Sequence, residues 1–388
     1  MSEWTTIRLG SVVRTNTTSY SPKEGWKYVN YLDTGNITEN VIDAIQNIDL
    51  TNEKLPSRAK RKVQIDSILY STVRPNQKHF GIIKSMPENF LVSTGFAVID
   101  VIPEKVDADY LYFWLTQNTV VEQLHAIAEQ SVSAYPSIKA SDIENLEIAL
   151  PPLTVQKTIA SILKAISDKM SHNSNINENL QQQAIALFTN YYEQSNTEVG
   201  FTDLIQILGG GTPKTGESTY WNGDIPFFTP KDVGSPYTLT TEKTITEDGL
   251  SHCNSRLYPV NTVFVTARGT VGKIGLAGVP MAMNQSCYAL TGKNLHQLLV
   301  YFYTLKAVDR LKHKASGAVF DAIITRDFET EQVFKLSEDD TNTFIKIAEP
   351  MYQSILNNSV ENQRLIALRD SLLPKLMSGE IDVSSISI

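Results

Sequence analysis

The chain alternates between two hydrophobic patterns. Over residues 153–195, Ile159, Leu163, Ile166, Met170, Asn173, Asn177, Leu180, Ala184, Leu187 and Tyr191 recur at steps of four and three, without Gly or Pro. That is the heptad seam of an amphipathic helix. Pro151-Pro152 stands just ahead, with Thr154 as the expected N-cap. A second run repeats the pattern: Phe344, Ala348, Met351, Ile355, Asn358, Asn362, Leu365, Arg369 and Leu372. Ser337 with Asp340 predicts a capping-box start, Pro350 a kink or a later start, and Pro374 with Gly379 the end. The remaining segments read as short strands and loops. Ser67–Val73 and Phe96–Ile102 are β-rich, and Tyr110–Leu124 predicts a short helix.

The two patterns are one pattern used twice. Ser131, Tyr135, Ile138, Asp142 and Glu144 return 185 residues later as Ser316, Phe320, Ile323, Asp327 and Glu329. Without a gap, Asn173, Asn177, Leu180 and Leu187 return as Asn358, Asn362, Leu365 and Leu372. Upstream the offset grows to 194 or 195, with Asp66–Ser71 against Asn261–Thr266, Arg74 against Arg268 and Gly81 against Gly275. Leu9-Gly10 lies against Leu208-Gly209. The expected segments are 1–150 and 196–336, both mixed, with helices in 151–195 and 337–388.

Two long amphipathic helices need partners for their seams, and each supplies the other's. The expectation is an α+β fold: two mixed domains separated by two long helices forming an antiparallel coiled coil, the halves related by a pseudo-twofold. About 40 helical residues span roughly 60 Å, so the helices would act as a spacer. The paired Asn residues either lie in the seam, where they fix register at a cost in stability, or on a wet flank beside it.

Composition narrows the function. A chain of 388 residues exceeds one ordinary core. Its 34 Lys and Arg against 42 Asp and Glu leave a net charge of −8, which argues against a non-specific nucleic-acid coat. Cys253 and Cys287 alone exclude a disulfide scaffold or a cysteine-rich zinc site. No basic segment followed by an apolar run opens the chain, and no stretch approaches the ~18 apolar residues of a membrane span, so a cytoplasmic protein is expected. Gly211-Thr212-Pro213-Lys214-Thr215-Gly216 begins like a phosphate loop but continues Glu217-Ser218, where Lys is needed. No zinc-protease, hydrolase-elbow or dinucleotide motif follows, and the six His are scattered. An enzyme is the weaker reading.

Binding chemistry is more visible. Lys54, Arg58, Lys60, Arg61 and Lys62 place five cations in nine residues, a candidate phosphate-contacting loop or simply a solvated one. Arg74, Asn76, Gln77 and Lys78 follow a strand and include the side chains that pair bidentately with base edges. The second copy offers Lys214, Lys231, Arg268 and Lys273, then Asn284 and Gln285. Because Arg74 and Arg268 align in the repeat, a shared backbone-support role competes with base reading. Tyr220-Trp221 and Phe227-Phe228 read as core rather than as stacking surfaces.

These residues resemble a known family. Gly209-Gly210-Gly211-Thr212-Pro213-Lys214-Thr215, Tyr220-Trp221 and Thr229-Pro230-Lys231-Asp232 look like the opening of one class of target-recognition domain. Ser93-Thr94-Gly95-Phe96-Ala97-Val98 looks like a late strand of such a domain. Leu150-Pro151-Pro152-Leu153 with Gln156 and Ile159 is similar to the entry into a first conserved helix, and Leu368–Ile381 to the end of a second. The segment Val333-Phe334-Lys335-Leu336 lacks the equivalent Pro pair. The whole chain thus resembles the DNA-specificity subunit of type I restriction–modification systems. The resemblance implies two target-recognition domains reading a bipartite target in double-stranded DNA, and no catalytic residue, metal or cofactor in this chain. It implies two modification (methyltransferase) subunits and further restriction (endonuclease and translocase) subunits as partners, which would hold S-adenosylmethionine, ATP and Mg2+. A stand-alone nuclease and a protein-binding adaptor are the competing readings.

Overall fold

The computed structural model describes residues 4–131, 135–234, 236–314, 322–384 and 386. Ser316 and Phe320 of the repeat pairing lie outside them. The chain divides into two compact units, residues 1–169 with 365–388, and residues 170–364. Each takes one mixed segment and a stretch of both long helices.

In the first unit, Thr5–Arg8 pairs antiparallel with Glu147–Leu150 and ties together the two ends of the mixed segment. A four-stranded antiparallel sheet follows in the order Val13–Thr15, Phe96–Val101, Ile68–Ser71, Phe80–Ile82. Its central strands are buried on both faces. Ile68, Tyr70, Ala97 and Ile99 enter the large core, while Leu69, Phe96 and Val98 enter a second. That double burial is why these strands read as continuous apolar runs rather than as alternation. A second sheet runs Gln46–Asp49, Tyr28–Leu32, Phe90–Ser93, Ala59–Arg61, with Tyr28–Leu32 parallel to Phe90–Ser93. The helix expected at 110–124 is two helices, Ala108–Leu115 and Asn118–Glu129. Asp107 caps the first by accepting the Tyr110 N–H at 3.0 Å.

The second unit has the same plan. Glu198–Gly200 pairs with Gln332–Phe334. Its main sheet runs Ile205–Gly209, Cys287–Gly292, Val263–Thr266, Ile274–Ala277, Tyr237–Thr238. Trp221–Phe228 is parallel to Ala282–Met283, the counterpart of the parallel pair in the first unit. One continuous helix, Gln297–Lys314, replaces the broken pair. The offset of 185 is kept in the backbone. Short helices begin at Ala140 and Thr325, strands at Glu147 and Gln332, and the long helices at Leu153 and Glu338.

The first long helix spans Leu153–Gln194, so Thr154 lies inside its first turn and not at the cap. Gln156 secures the entry instead. Its buried amide donates to the Pro151 and Lys105 carbonyls at 2.8 and 3.3 Å and accepts the Asp107 N–H at 2.9 Å. The second long helix spans Glu338–Met377, with the Ser337 hydroxyl oxygen accepting the Asp340 N–H at 3.1 Å. It runs through both Pro350 and Pro374. Both prolines are exposed, as are Lys346 and Asp370 one turn earlier, so water can bond the carbonyls that they free. The helix ends ahead of Gly379, which is left-handed at φ +76°.

Within the second unit the helices run antiparallel. Asn358 Nδ2 donates to Asn177 Oδ1 at 2.8 Å, and Asn173 Nδ2 to Asn362 Oδ1 at 2.9 Å. Asn173 and Asn177 are 0% and 8% exposed, so they sit in the seam and not on its flank. Asn358 and Asn362 are half-buried. Farther out, the buried positions become Ala184, Phe188 and Tyr192, and Phe344, Ala348 and Tyr352. Leu187, Tyr191 and Met351 are only half-buried. Steps of four overshoot the helical turn by about 40° each, which turns the buried stripe toward the mixed segment. Phe188 there packs on Phe302, Tyr303 and Phe344 with ring centroids 5.1, 5.4 and 5.5 Å away. Ile355 is buried in this unit. In the first unit Ile159, Leu163 and Ile166 are buried, and Ile159 and Leu163 share the large core with Leu376 and Met377. Met170, Leu180, Leu365 and Leu372 are half-buried.

Candidate nucleic-acid interface

Each unit carries a loop at one end of its main sheet. In the first it joins Ile68–Ser71 to Phe80–Ile82, and the Ser71 N–H to His79 carbonyl bond closes it at 2.9 Å. In the second it joins Val263–Thr266 to Ile274–Ala277, closed by the Thr266 N–H to Lys273 carbonyl bond at 3.0 Å. The Ile138 N–H donates to the Thr72 carbonyl at 2.8 Å, and its repeat partner Ile323 donates to Ala267 at 2.9 Å. Ala267 is therefore the equivalent of Thr72, and Arg268 takes the place of Val73. The alignment of Arg74 with Arg268 is off by one residue; the second loop is one residue shorter before Gly275, which faces Phe264 as Gly81 faces Leu69.

The first loop is a short 3-10 turn, Pro75–Gln77, held at both ends. Pro75 is buried, and Arg74 and Lys78 are left-handed at φ +48° and +55°. The Arg74 guanidinium lies over the Tyr135 ring at 5.3 Å, a cation–π contact. Asn76 and Gln77 are exposed at the tip. Lys78 pairs with Glu39 at 2.8 Å.

The basic cluster nearby is only partly available. Lys62 pairs with Glu24 and lies 5.1 Å over the Trp26 ring. Arg61 is half-buried, its Nε has no partner, and burial pulls its pKa down. Lys54, Arg58 and Lys60 are exposed and without ion-pair partners among the described residues. Beside Arg58, burial raises the Asp33 carboxyl. The Thr34 N–H at 2.9 Å, the Ser93 and Tyr31 hydroxyls and the Arg58 charge outweigh it and hold Asp33 below the usual carboxylate range.

Four cations of the second unit line an open cleft of about 660 Å³. Lys231, Arg268, Lys273 and Asn284, from three loops, line it together with Lys243 and Glu242. Sequence reasoning missed Lys243, a single cation in a threonine-rich stretch with no motif around it. Asp232 fastens two of these loops. Its Oδ2 accepts the Thr229 N–H and hydroxyl at 2.8 and 2.6 Å, and its Oδ1 the Glu242 N–H at 2.8 Å. Lys231 meets Glu242 at 3.6 Å. The loop that carries Arg268 turns through Gly269 and Gly272, at φ +82° and +75°, and Thr266 Oγ1 accepts the Lys273 N–H at 2.9 Å.

Several expected contacts have structural duties. Asn284 Oδ1 accepts the Ser286 N–H at 3.0 Å, as Ser93 Oγ accepts the Gly95 N–H at 3.3 Å in the equivalent turn. Gln285 accepts the Thr212 hydroxyl, and the Lys214 carbonyl accepts the Trp221 indole N–H at 3.3 Å. Neither lines the cleft; the Lys214 side chain is exposed. The glycine motif is a close-packing device. A Cβ on Gly210 would stand 2.1 Å from the Asn284 carbonyl oxygen, and one on Gly211 2.6 Å from the Asn254 nitrogen. Phe227 and Phe228 are core, while Tyr220 and Trp221 are half-buried, Tyr220 stacked on His252 at 5.0 Å.

Among the described residues no three His, Cys, Asp or Glu side chains group to hold a metal ion. Burial pushes the Cys287 thiol up to about 12, far from a reactive thiolate. No helix among the described residues is long and apolar enough to cross a membrane.

A profile of the type I restriction modification DNA specificity domain matches residues 1–182 and again residues 195–334. The chain belongs to this family. The specificity subunit of the type I restriction enzyme HindI of Haemophilus influenzae is 24% identical, over 98% of this chain and 100% of its own. That of the MjaIX enzyme of Methanocaldococcus jannaschii is 21% identical over 76% of this chain and 74% of its own. The crystal structure of the S subunit from M. genitalium shares the fold, with a TM-score of 0.61 at 15% identity over 97% of this chain and 96% of the other. As a specificity subunit the chain is not itself an enzyme, and it directs a complex whose other parts are methylase and restriction subunits acting on DNA.

Proposed function

We propose that this specificity subunit recognises a split duplex target. One half would be read by 1–150 and the other by 196–336, with the helices of 151–195 and 337–388 setting the length of the unread spacer. The observation that carries this reading is the repeat: two units of one plan each present a cationic loop between the equivalent pair of antiparallel strands of the main sheet. In the first unit Lys54, Arg58 and Lys60 would meet phosphates, with Arg61, Lys62 and Lys78 behind them, and Arg74, Asn76 and Gln77 would meet base edges. In the second, Lys231, Arg268 and Lys273 would line the duplex, with Lys214, Asn284 and Gln285 at its rim. Phosphate contacts give affinity without sequence information. A bidentate contact to a base edge discriminates by about 1–3 kcal/mol.

Two methyltransferase subunits would dock on the helices and mixed units, and restriction subunits would join for cleavage. S-adenosylmethionine, ATP and Mg2+ would be held by those partners, and the complex would work in the cytoplasm. Methylome sequencing of a host carrying this chain with its methyltransferase partner tests the reading. The expected result is a methylated motif in two parts with a fixed gap; a continuous motif rejects it.

A further inference from the structure

The helix Gln297–Lys314 of the second unit carries Lys306, Arg310, Lys312 and Lys314 near its C-terminal end. Three of these cations are used inside the unit. Lys306 lies 5.4 Å over the Tyr192 ring. Arg310 donates to the Gln332 carbonyl at 2.8 Å and lies 5.4 Å over the Phe334 ring. Lys314 meets the buried Glu331 carboxylate at 2.5 Å. Asp309, on the preceding turn, faces His313 at 3.7 Å. Lys312 alone among the four has no ion-pair or ring partner among the described residues.

The Lys312 chain is laid against the loop of residues 267–273. A Cβ built on Gly272 would stand 2.6 Å from Lys312 Cε and 3.4 Å from its Nζ. The ammonium is thus at the foot of this loop, and the next loop residue, Lys273, lines the cationic cleft. A cavity of about 330 Å³ bordered by Gln181, Gly272, Tyr301, Asp309 and Lys312 leaves the side chain room to move; Asp309 shares this border but forms its ion pair with His313. In the first unit the position 185 residues earlier is Ile127, which packs against the large core.

We propose that Lys312 is a DNA-phosphate contact on the helix, extending the cationic surface of the cleft past the loop, with no counterpart at the equivalent position of the first unit. An ammonium is a point charge without the planar fork that reads base edges, and it sits behind the residues at the loop tip, so it suits a phosphate. The inference rests on the reading that loop 267–273 faces DNA.

The test uses the full chain in complex with its methyltransferase partner. Binding to a duplex containing the methylated motif and to a scrambled duplex is measured from low to moderate salt for wild type, Lys312→Gln and Lys312→Arg. Lys312→Gln should lower the slope of log affinity against log salt by about 0.9 on both duplexes. The ratio between duplexes and the melting temperature should be kept, and Lys312→Arg should restore the slope. An unchanged slope overturns the proposal, as does a loss confined to the motif duplex, which would make Lys312 a base contact. A lowered melting temperature with an unaltered slope assigns it to the fold and also overturns it. If wild type itself does not prefer the motif duplex, the split-target reading fails instead.

Discussion

At the scale of the residue, what decides a cation's role is what else it touches. Five basic residues within 54–62 look alike in the sequence. In the fold Lys62 is neutralised by Glu24, Arg61 is half-buried, and only Lys54, Arg58 and Lys60 are exposed without an ion pair among the described residues, Arg58 lying near enough to Asp33 for its charge to be felt there. Joint replacement of these three by Gln should lower the salt slope of DNA binding by about 2–3, whereas Lys62→Gln should change it by well under one. Fluorescence anisotropy of a labelled duplex across a salt series checks both. An equal effect of Lys62→Gln would show that its ion pair opens on DNA. The same logic separates Asn284 from Arg268. Asn284 spends its carbonyl on a turn that its counterpart Ser93 caps in the first unit, while Arg268 has no ion-pair partner among the described residues.

At the scale of the element, the long helices combine an apolar seam with a polar stretch. The Asn177–Asn358 bond is worth about 0.5–1.5 kcal/mol net, but leaving one partner buried and unbonded costs about 1–3 kcal/mol. Asn358→Ala should therefore lower stability by about that amount, read as a drop in melting temperature. Replacing Asn177 and Asn358 together by Leu should raise the melting temperature while loosening the register, because a buried Asn pair pays stability for a single alignment. Hydrogen exchange along both helices reports that loosening; unchanged protection in the double variant would remove the register role. Thr154 and Pro374 show how local signals mislead. Each is a good cap or stop by its chemistry, yet Gln156 secures one helix start and water-facing carbonyls let the other helix pass its prolines.

At the scale of the whole molecule, the repeat means that any change in one long helix has to be matched in the other. The compact units divide at Lys169/Met170 and at Arg364/Leu365. Inserting one heptad at both places adds about 10 Å of helix, or close to three base-pair steps of 3.4 Å. Under the proposed ruler role, the methylated motif should keep both half-sites and gain about three unread base pairs. Methylome sequencing reads this directly, and an unaltered gap would refute the role. A heptad at one of the two places only leaves the Asn173–Asn362 and Asn177–Asn358 pairs intact but displaces one helix stretch of the first unit relative to the other, so it should pull Ile159 and Leu163 out of register with Leu376 and Met377 and abolish assembly.

The sequence alone determined what depends on periodicity and spacing. The repeat at 185, the two helices and the order of mixed and helical segments follow from positions along the chain, because burying one face dictates the hydrophobic period. Family membership was legible in motifs that proved to be packing devices: the glycines that touch Asn284 and Asn254, and the glutamine that closes the helix entry. Only the tertiary structure decided what depends on neighbours distant in sequence. It moved the outer seam from Leu187 and Tyr191 to Phe188 and Tyr192, because a third element, Gln297–Lys314, competes with the partner helix for that face. It made Arg268 the repeat equivalent of Val73 rather than of Arg74, because register is kept by backbone hydrogen bonds, to which side-chain identity is blind. And it sorted the free cations from the paired ones, since charge is a property of residues but availability is a property of the contacts around them.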